Sequence, residues 1–252
     1  MTTSHPAAVF FDAYGTLIHF PDDPSPFDYM ADVLQRERVD LPRPHLDDAL
    51  HAEMRYYKAH YASVRTADDL ERLRIEDARV YLEALGDTGA VPLDLNLVAD
   101  ELAAAFESRV LPDAHAAIDL VRTSGVRTAV LSNFSYLLPL VLDEVGLGDG
   151  LDPIVFSAAV GAEKPDPRIF AAAAAAVDAD LGDCVLIGDD FKNDVGGAQR
   201  CGMPVVWLAR DGSDAPPGVA VARNLVDAVH LALGPGWREL SLSGHTPPSA
   251  NA

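Results

Sequence analysis

Positive charge is scarce in this chain, which carries 19 Lys and Arg against 39 Asp and Glu in 252 residues, a formal net charge of −20. Such a chain repels nucleic-acid phosphates and anionic lipid, and no long basic stripe offsets it, so polyanion binding is excluded as a function class. Cysteine is nearly absent. Cys184 lies in an apolar run and Cys201 beside a Gly, which suits a reducing, cytoplasmic setting with both acting as small hydrophobes rather than as a disulfide. No apolar run approaches the roughly 20 residues of a membrane span, so no membrane partner is expected. Residues Met1 to Pro6 offer no Lys or Arg ahead of a short apolar stretch, which argues against a secretory signal. No internal repeat is apparent.

What is present is a globular composition, 49% hydrophobic, with two contrasting patterns along the chain. The apolar run Ala7 to Phe11 reads as a buried parallel strand that ends on Asp12, with Gly15-Thr16 supplying a tight turn behind it. A proline-rich linker, Pro21 to Pro26, follows. Residues 27–108 then read as almost entirely helical, with Leu46, Ala49, Leu50, Met54 and Tyr57 at helical spacing. Leu70, Leu73, Asp77, Ala78, Tyr81, Leu82 and Leu85 repeat that spacing until Gly86 and Gly89 stop the helix; Leu97, Leu102 and Phe106 mark another.

From Pro112 onward strands alternate with helices. Strands are expected at 126–131, 153–156, 184–188 and 205–208, with helices near 114–124, 137–144, 171–177, 195–200 and 225–233. The six-alanine run at 171–176 reads as a small helix face suited to close packing on a sheet. This alternation predicts an α/β fold with a doubly wound parallel sheet and an all-helical domain inserted after the first strand. The expected boundaries are 1–20 and 109–240 for the sheet domain, 21–108 for the helical domain and 241–252 for a disordered tail.

Four predicted strand ends deliver polar groups to one edge of the sheet: Asp12, Ser132-Asn133, the segment carrying Lys164, and Asp189-Asp190 with Asp194. Ligands in open α/β sheets bind in the crevice beyond the strands' carboxyl ends. Four carboxylates against one ammonium in such a crevice call for a cation. Oxygen donors without clustered His or Cys favour Mg²⁺, which keeps waters and takes a substrate phosphate.

These residues resemble the haloacid dehalogenase-like hydrolase superfamily. Its motif of a strand followed by Asp-x-x-Gly-Thr-Leu is matched by Asp12 to Leu17, and its strand-then-Ser/Thr motif by Leu131-Ser132-Asn133. Glu163-Lys164-Pro165-Asp166-Pro167 and Ile187-Gly188-Asp189-Asp190-Phe191-Lys192-Asn193-Asp194 supply the other two, in order, so the likeness covers about residues 6 to 210. The helical insert resembles that superfamily's four-helix cap.

The resemblance implies that Asp12 is a nucleophile forming a covalent aspartyl intermediate and that Lys164 is catalytic beside it, neutralising charge. It implies Mg²⁺ held by Asp12, the backbone carbonyl of Tyr14, Asp189 and Asp194, the last of which could equally hold Lys164. Thr16, Ser132 and Asn133 would meet the substrate. In the helical insert, Arg55-Tyr56-Tyr57-Lys58 makes Arg55 and Lys58 candidates for an anionic small molecule. The expected activity is a Mg²⁺-dependent phosphatase of a small phosphorylated metabolite, working as a monomer or homodimer.

Tyr14 departs from the pattern. Phosphatases of the superfamily usually place an acid there, and Asp-Ala-Tyr-Gly-Thr resembles the 2-haloacid dehalogenases, whose leaving halide needs no proton. Against that, dehalogenases carry Ser and Asn where this chain has Gly188 and Asp189-Asp190, and they use no metal. A 2-haloacid dehalogenase acting through an ester on Asp12, and a catalytically weak binding member of the family, are the alternatives.

Overall fold

A computed structural model of the chain describes residues 5–86 and 92–241; Gly89 and the tail from 242 on lie outside them. The chain divides into two compact units. One comprises Met1–Ile18, Val110–Asn133 and Leu138–Ala252, and the other His19–Arg109 with Phe134–Leu137. The linker expected at 21–26 thus falls just inside the second unit, and a short piece after Asn133 rejoins it.

The first unit is built on strands β1 (Ala8–Phe11), β4 (Arg127–Ser132), β5 (Ile154–Phe156), β6 (Cys184–Gly188), β7 (Val205–Leu208) and β8 (Ala220–Ala222). Between β1 and β4 in the chain come two short strands, β2 (Ile18–His19) and β3 (Arg109–Val110), which form a separate two-stranded sheet. The main sheet has six strands in the order β5-β4-β1-β6-β7-β8, and every pairing in it is parallel. Five of these strands match the sequence expectation. The sixth, β8, falls just ahead of the helix expected at 225–233 and is not predicted, because Ala-Val-Ala at a sheet edge carries no periodic signal.

Helices α5 (Ala114–Thr123), α6 (Leu138–Glu144), α7 (Ser157–Val160), α8 (Pro167–Ala176), α9 (Gly196–Cys201) and α10 (Leu225–Leu233) complete this unit. β1 is buried at every position because helices cover both faces of the sheet. Ala8 and Phe10 point into one layer with Ile169, Phe170 and Ala173 of α8 and Ala198 of α9. α5 and α10 pack together elsewhere, with α5 against β4 and α10 against β6 and β7. Each buried Phe or Leu in such a layer contributes about 1.5–3 kcal/mol. The alanine run behaves as expected: Ala173 and Ala174 are buried, and α8 starts cleanly with Asp166 as cap and Pro167 in its first turn.

The second unit holds α1 (Pro26–Arg36), α2 (Arg43–His60), α3 (Ala67–Leu85) and α4 (Leu95–Ala105). Its core joins Met30, Leu34, Leu50, Ala78, Tyr81, Leu85, Val98 and Leu102. α3 begins with a full capping box: the Thr66 hydroxyl accepts from the Asp69 N–H, and the Asp69 carboxylate accepts from the Thr66 N–H. It ends at Gly86, whose φ of 66° lies outside the range most residues tolerate. The inward row of α2 is Leu46, Ala49, Leu50 and Glu53, so the expected Met54 is only half-buried and an acid takes the core position.

Candidate active site

β1 lies at the point where the strand order reverses, with β4 on one side and β6 on the other. Its carboxyl end delivers Asp12, and the Asp12 N–H donates to the carbonyl of Ile187 at 2.9 Å, which locks this residue to the end of β6. Behind it the chain turns sharply: the Gly15 N–H donates to the Ile18 carbonyl, and Tyr14 bridges Ile18. Gly15 has φ +81° and faces Asp189 so closely that an added Cβ would overlap that carboxylate. Glycine here answers both a backbone and a space requirement.

Lys164 arrives on the loop between α7 and α8 and is 3% exposed. Its Nζ donates to Asp12 Oδ1 at 2.7 Å, to Asp194 Oδ1 at 2.6 Å and to the Leu131 carbonyl at 2.8 Å. These three bonds use every donor of the ammonium. Burial alone would discharge it, but the flanking Asp12 and Asp194 carboxylates overturn that effect and hold its pKa above the ordinary lysine value. Asn133, expected to bind substrate, uses its amide on the backbone of Lys164 instead: Nδ2 donates to the Lys164 carbonyl at 2.9 Å, and Oδ1 accepts from the Lys164 N–H at 2.6 Å. Ser132, the last residue of β4, is buried beside it in sequence.

After β6 the chain makes a wide π-helical turn over Phe191–Val195. The widened turn returns Asp194 to the strand end, where its Oδ2 accepts from the Asp190 N–H at 3.0 Å and its side chain is fully buried. Gly188 leaves room for it, since a Cβ there would overlap the Asp194 carboxylate. Asp190 does not join the cluster. Its carboxylate accepts from the N–H groups of Lys192 and Asn193 and from the Asn193 amide, so it caps the turn. The charge count made from sequence is therefore corrected from four carboxylates to three.

Asp12, Asp189 and Asp194 each place a carboxylate oxygen within 4.8 Å of the others. One ammonium does not balance three acids, and Asp189 shows the surplus: burial, with the Asp12 charge adding, pushes its pKa up to about 6, against the pull of the Thr16 hydroxyl. Burial and Asp12 likewise push Asp194 upward while Lys164 pulls it down. A set of hard oxygen donors with excess negative charge fits a divalent cation such as Mg²⁺ and gives soft metals no ligand. Thr16 is buried, and its hydroxyl donates to Asp189 Oδ1 at 3.1 Å. Arg55 and Lys58 are exposed on α2 of the helical unit.

Three residues that support the cluster escaped the sequence analysis. Trp207 of β7 donates its indole N–H to the Asp189 carbonyl at 2.9 Å. Asp113 and Arg210 form a two-pronged ion pair beside Thr16. None has a local sequence signal, because each lies on a different strand or loop from the residue it serves.

Comparison with known proteins gives a consistent picture. A family model described as a haloacid dehalogenase-like hydrolase matches residues 6–202. A phosphoserine phosphatase of Thermus thermophilus is 35% identical over 138 residues, covering 52% of this chain and 54% of the relative. A phosphoglycolate phosphatase of Caulobacter vibrioides is 30% identical over 160 residues, covering 59% of this chain and 67% of the relative. The chain spans about half the length of the first curated relatives it matches. Among solved structures, the L-2-haloacid dehalogenase of Xanthobacter autotrophicus matches with TM-score 0.62 at 22% identity, over 91% of this chain and 99% of that one. The magnesium-bound HAD-hydrolase YfnB of Bacillus subtilis gives TM-score 0.64 at 16% identity, over 90% and 99%. At such identities the structural likeness speaks for the fold alone.

Proposed function

The chain belongs to the haloacid dehalogenase-like hydrolase family, and on that footing we propose that it is a Mg²⁺-dependent phosphatase of a small phosphorylated metabolite, with Asp12 as nucleophile. The observation that carries this reading is the trio Asp12, Asp189 and Asp194, whose oxygens lie within 4.8 Å of one another with one ammonium bonded to two of them. The phosphatase relatives at 30–35% identity support it.

Asp12 and Asp189, with Asp194 behind them and the Tyr14 carbonyl alongside, would hold the cation, which when bound supplies positive charge to the phosphoryl oxygens. In the reaction an Asp12 carboxylate oxygen forms a bond to phosphorus while the ester P–O bond breaks, its electron pair leaving on the alcohol oxygen. Lys164 holds Asp12 in its aim, because Asn133 fixes its backbone and three acceptors fix its ammonium. Ser132 supplies a hydroxyl at the end of β4, while the buried Thr16 spends its hydroxyl on Asp189 Oδ1 instead of on substrate. Water then opens the acyl phosphate, restoring Asp12 and releasing phosphate. We assign the helical unit the role of a cap, with Arg55 and Lys58 as its candidates for contact with an anionic substrate.

Tyr14 stands where an acid would protonate the leaving oxygen. A phenol with an ordinary pKa near 10 is a weak donor at neutral pH, so substrates with good leaving groups should turn over best. The same residue favours one second reading, release of halide from a 2-haloacid through an ester on Asp12.

The test measures phosphate and halide release side by side, with and without chelator, in the parent and in Asp12→Asn. The expected result is Mg²⁺-dependent phosphate release from an activated aryl phosphate that falls by at least about a thousandfold on chelation and in the variant. Halide release indifferent to chelator would establish the second reading in its place.

A further inference from the structure

Arg210 stands just beyond β7, and nothing in the chemistry described so far uses it. Its guanidinium grips Asp113 with two parallel bonds, Nη1 to Oδ2 at 3.0 Å and Nη2 to Oδ1 at 2.8 Å. The same Nη2 also donates to the carbonyl of Thr16 at 3.3 Å. The Thr16 side chain continues in the other direction, its hydroxyl on Asp189 Oδ1. Four residues from four parts of the chain therefore form one line: Asp113, Arg210, Thr16, Asp189.

We propose that Arg210 is a positioning residue for the cation site, setting the Asp189 carboxylate through Thr16 while Asp113 holds Arg210 in place. The inference rests on the Mg²⁺ reading given above. Asp189 is steered at three points: by the Thr16 hydroxyl on one carboxylate oxygen, by Gly15 pressed against the carboxylate, and by Trp207 on its main-chain carbonyl. Thr16 and Gly15 both sit in the turn after β1, and the Arg210 bond fixes the main chain of that turn from outside.

Asp113 is suited to hold Arg210. Although burial raises its pKa, the Arg210 bonds and the Leu225 N–H, which donates to Oδ2 at 2.7 Å, bring it below the ordinary carboxylate value. The anchor is thus tied to the first residue of α10, a rigid element of the sheet unit. A planar guanidinium can hold a carboxylate with two bonds and reach a carbonyl as well, whereas a lysine ammonium cannot keep the paired geometry. Groups that orient metal ligands in this way typically change metal affinity 10–100-fold when removed.

The experiment is calorimetric titration of Mg²⁺ into substrate-free protein, well below its melting temperature, for the parent, Arg210→Lys, Thr16→Val and the double variant. Each single change is expected to weaken the Mg²⁺ dissociation constant about tenfold or more, and Arg210→Lys should add nothing further once Thr16 is Val. In turnover the same changes should raise the Mg²⁺ concentration needed for half-maximal rate far more than they raise KM for substrate. If Arg210→Lys lowers thermal stability yet binds Mg²⁺ within twofold of the parent, or if the two changes simply add, Arg210 is a structural clamp and the proposal is wrong. Should Arg210→Lys not fold, Asp113→Asn replaces it in the same cycle with the same expected outcome. A parent that takes up no Mg²⁺ instead sinks the metal reading, and this proposal with it.

Discussion

In the sheet unit the buried ammonium of Lys164 meets Asp12, Asp194 and the Leu131 carbonyl, so each of its protons has an acceptor. In the helical unit two buried carboxyl groups, Glu53 on α2 and Asp77 on α3, each 5% exposed, are handled differently: Glu53 Oε2 and Asp77 Oδ1 have no hydrogen-bond partner among the described residues. Burial pushes Glu53 up to about 8, with the Asp77 charge adding, and burial pushes Asp77 up to about 7 while His60 pulls it down. Tyr57 feels both charges and Tyr81 feels that of Glu53, and burial pushes both phenols up as well. Burial raises Asp194 too, but there the Lys164 ammonium pulls against it, whereas among the described residues no hydrogen bond opposes burial at Glu53 Oε2 and Asp77 Oδ1. The helical unit leaves those two oxygens without an opposing bond; the sheet unit sets an ammonium against burial and holds Asp12 and Asp194 in one geometry.

The largest effect should come from breaking the paired side. Lys164→Met removes the ammonium and leaves Asp12 and Asp194 buried without a counter-charge, which should cost about 3–5 kcal/mol of stability. Urea unfolding in Mg²⁺-free buffer measures it, and a loss under about 1 kcal/mol would show that Lys164 does not balance those acids.

The unpaired side should respond to pH. The folded unit holds protons on Glu53 and Asp77 above their ordinary values of 4.5 and 3.8, so it binds more protons than the unfolded chain between those values and about 8 and 7. The stability these groups confer is complete below the lower values and is lost as pH rises through the upper ones, by an amount on the order of a few kcal/mol. Denaturant unfolding between pH 5 and 9 should show that decline, and Glu53→Gln with Asp77→Asn should make it shallower, leaving the share that the raised Asp189 and Asp194 contribute. Parallel curves for parent and variant would remove the contrast between the two units.

The smallest effect sharpens the comparison by leaving charge burial alone. Thr66→Ala deletes the hydroxyl half of the α3 capping box and should lower stability by about 1 kcal/mol, equally at pH 5 and pH 9, in the same unfolding experiment.

The sheet strands are legible in the sequence wherever one short segment carries its own signal. Asp12 and Asp189 lie just beyond the runs Val9-Phe10-Phe11 and Val185-Leu186-Ile187, so those strands announced both themselves and the crevice, while Lys164 follows α7 and Asp194 sits in the π-helical turn. Legibility ends where the determinant is tertiary. Glu53 occupies the inward row of α2, seven residues after Leu46, but its residue type hid it from a search for apolar spacing. Asp190 and Asp194 are chemically alike and four apart, and only the π-helical turn decides that one caps while the other returns to Lys164. Asn133 shows the same limit, because the Lys164 backbone it fastens comes 31 residues later.

The bond from Trp207 to Asp189 also gives the molecule an optical handle. The chain has two tryptophans. Trp237 is buried under the guanidinium of Arg238, whereas the Trp207 indole spans from the Asp189 carbonyl to an edge contact with Phe191, ring centres 4.9 Å apart. Its emission therefore reports on the backbone of a residue in the acidic trio, and Trp237→Phe would leave that as the sole tryptophan signal. A spectrometer could then follow cation arrival in real time on unlabelled protein, with no turnover required.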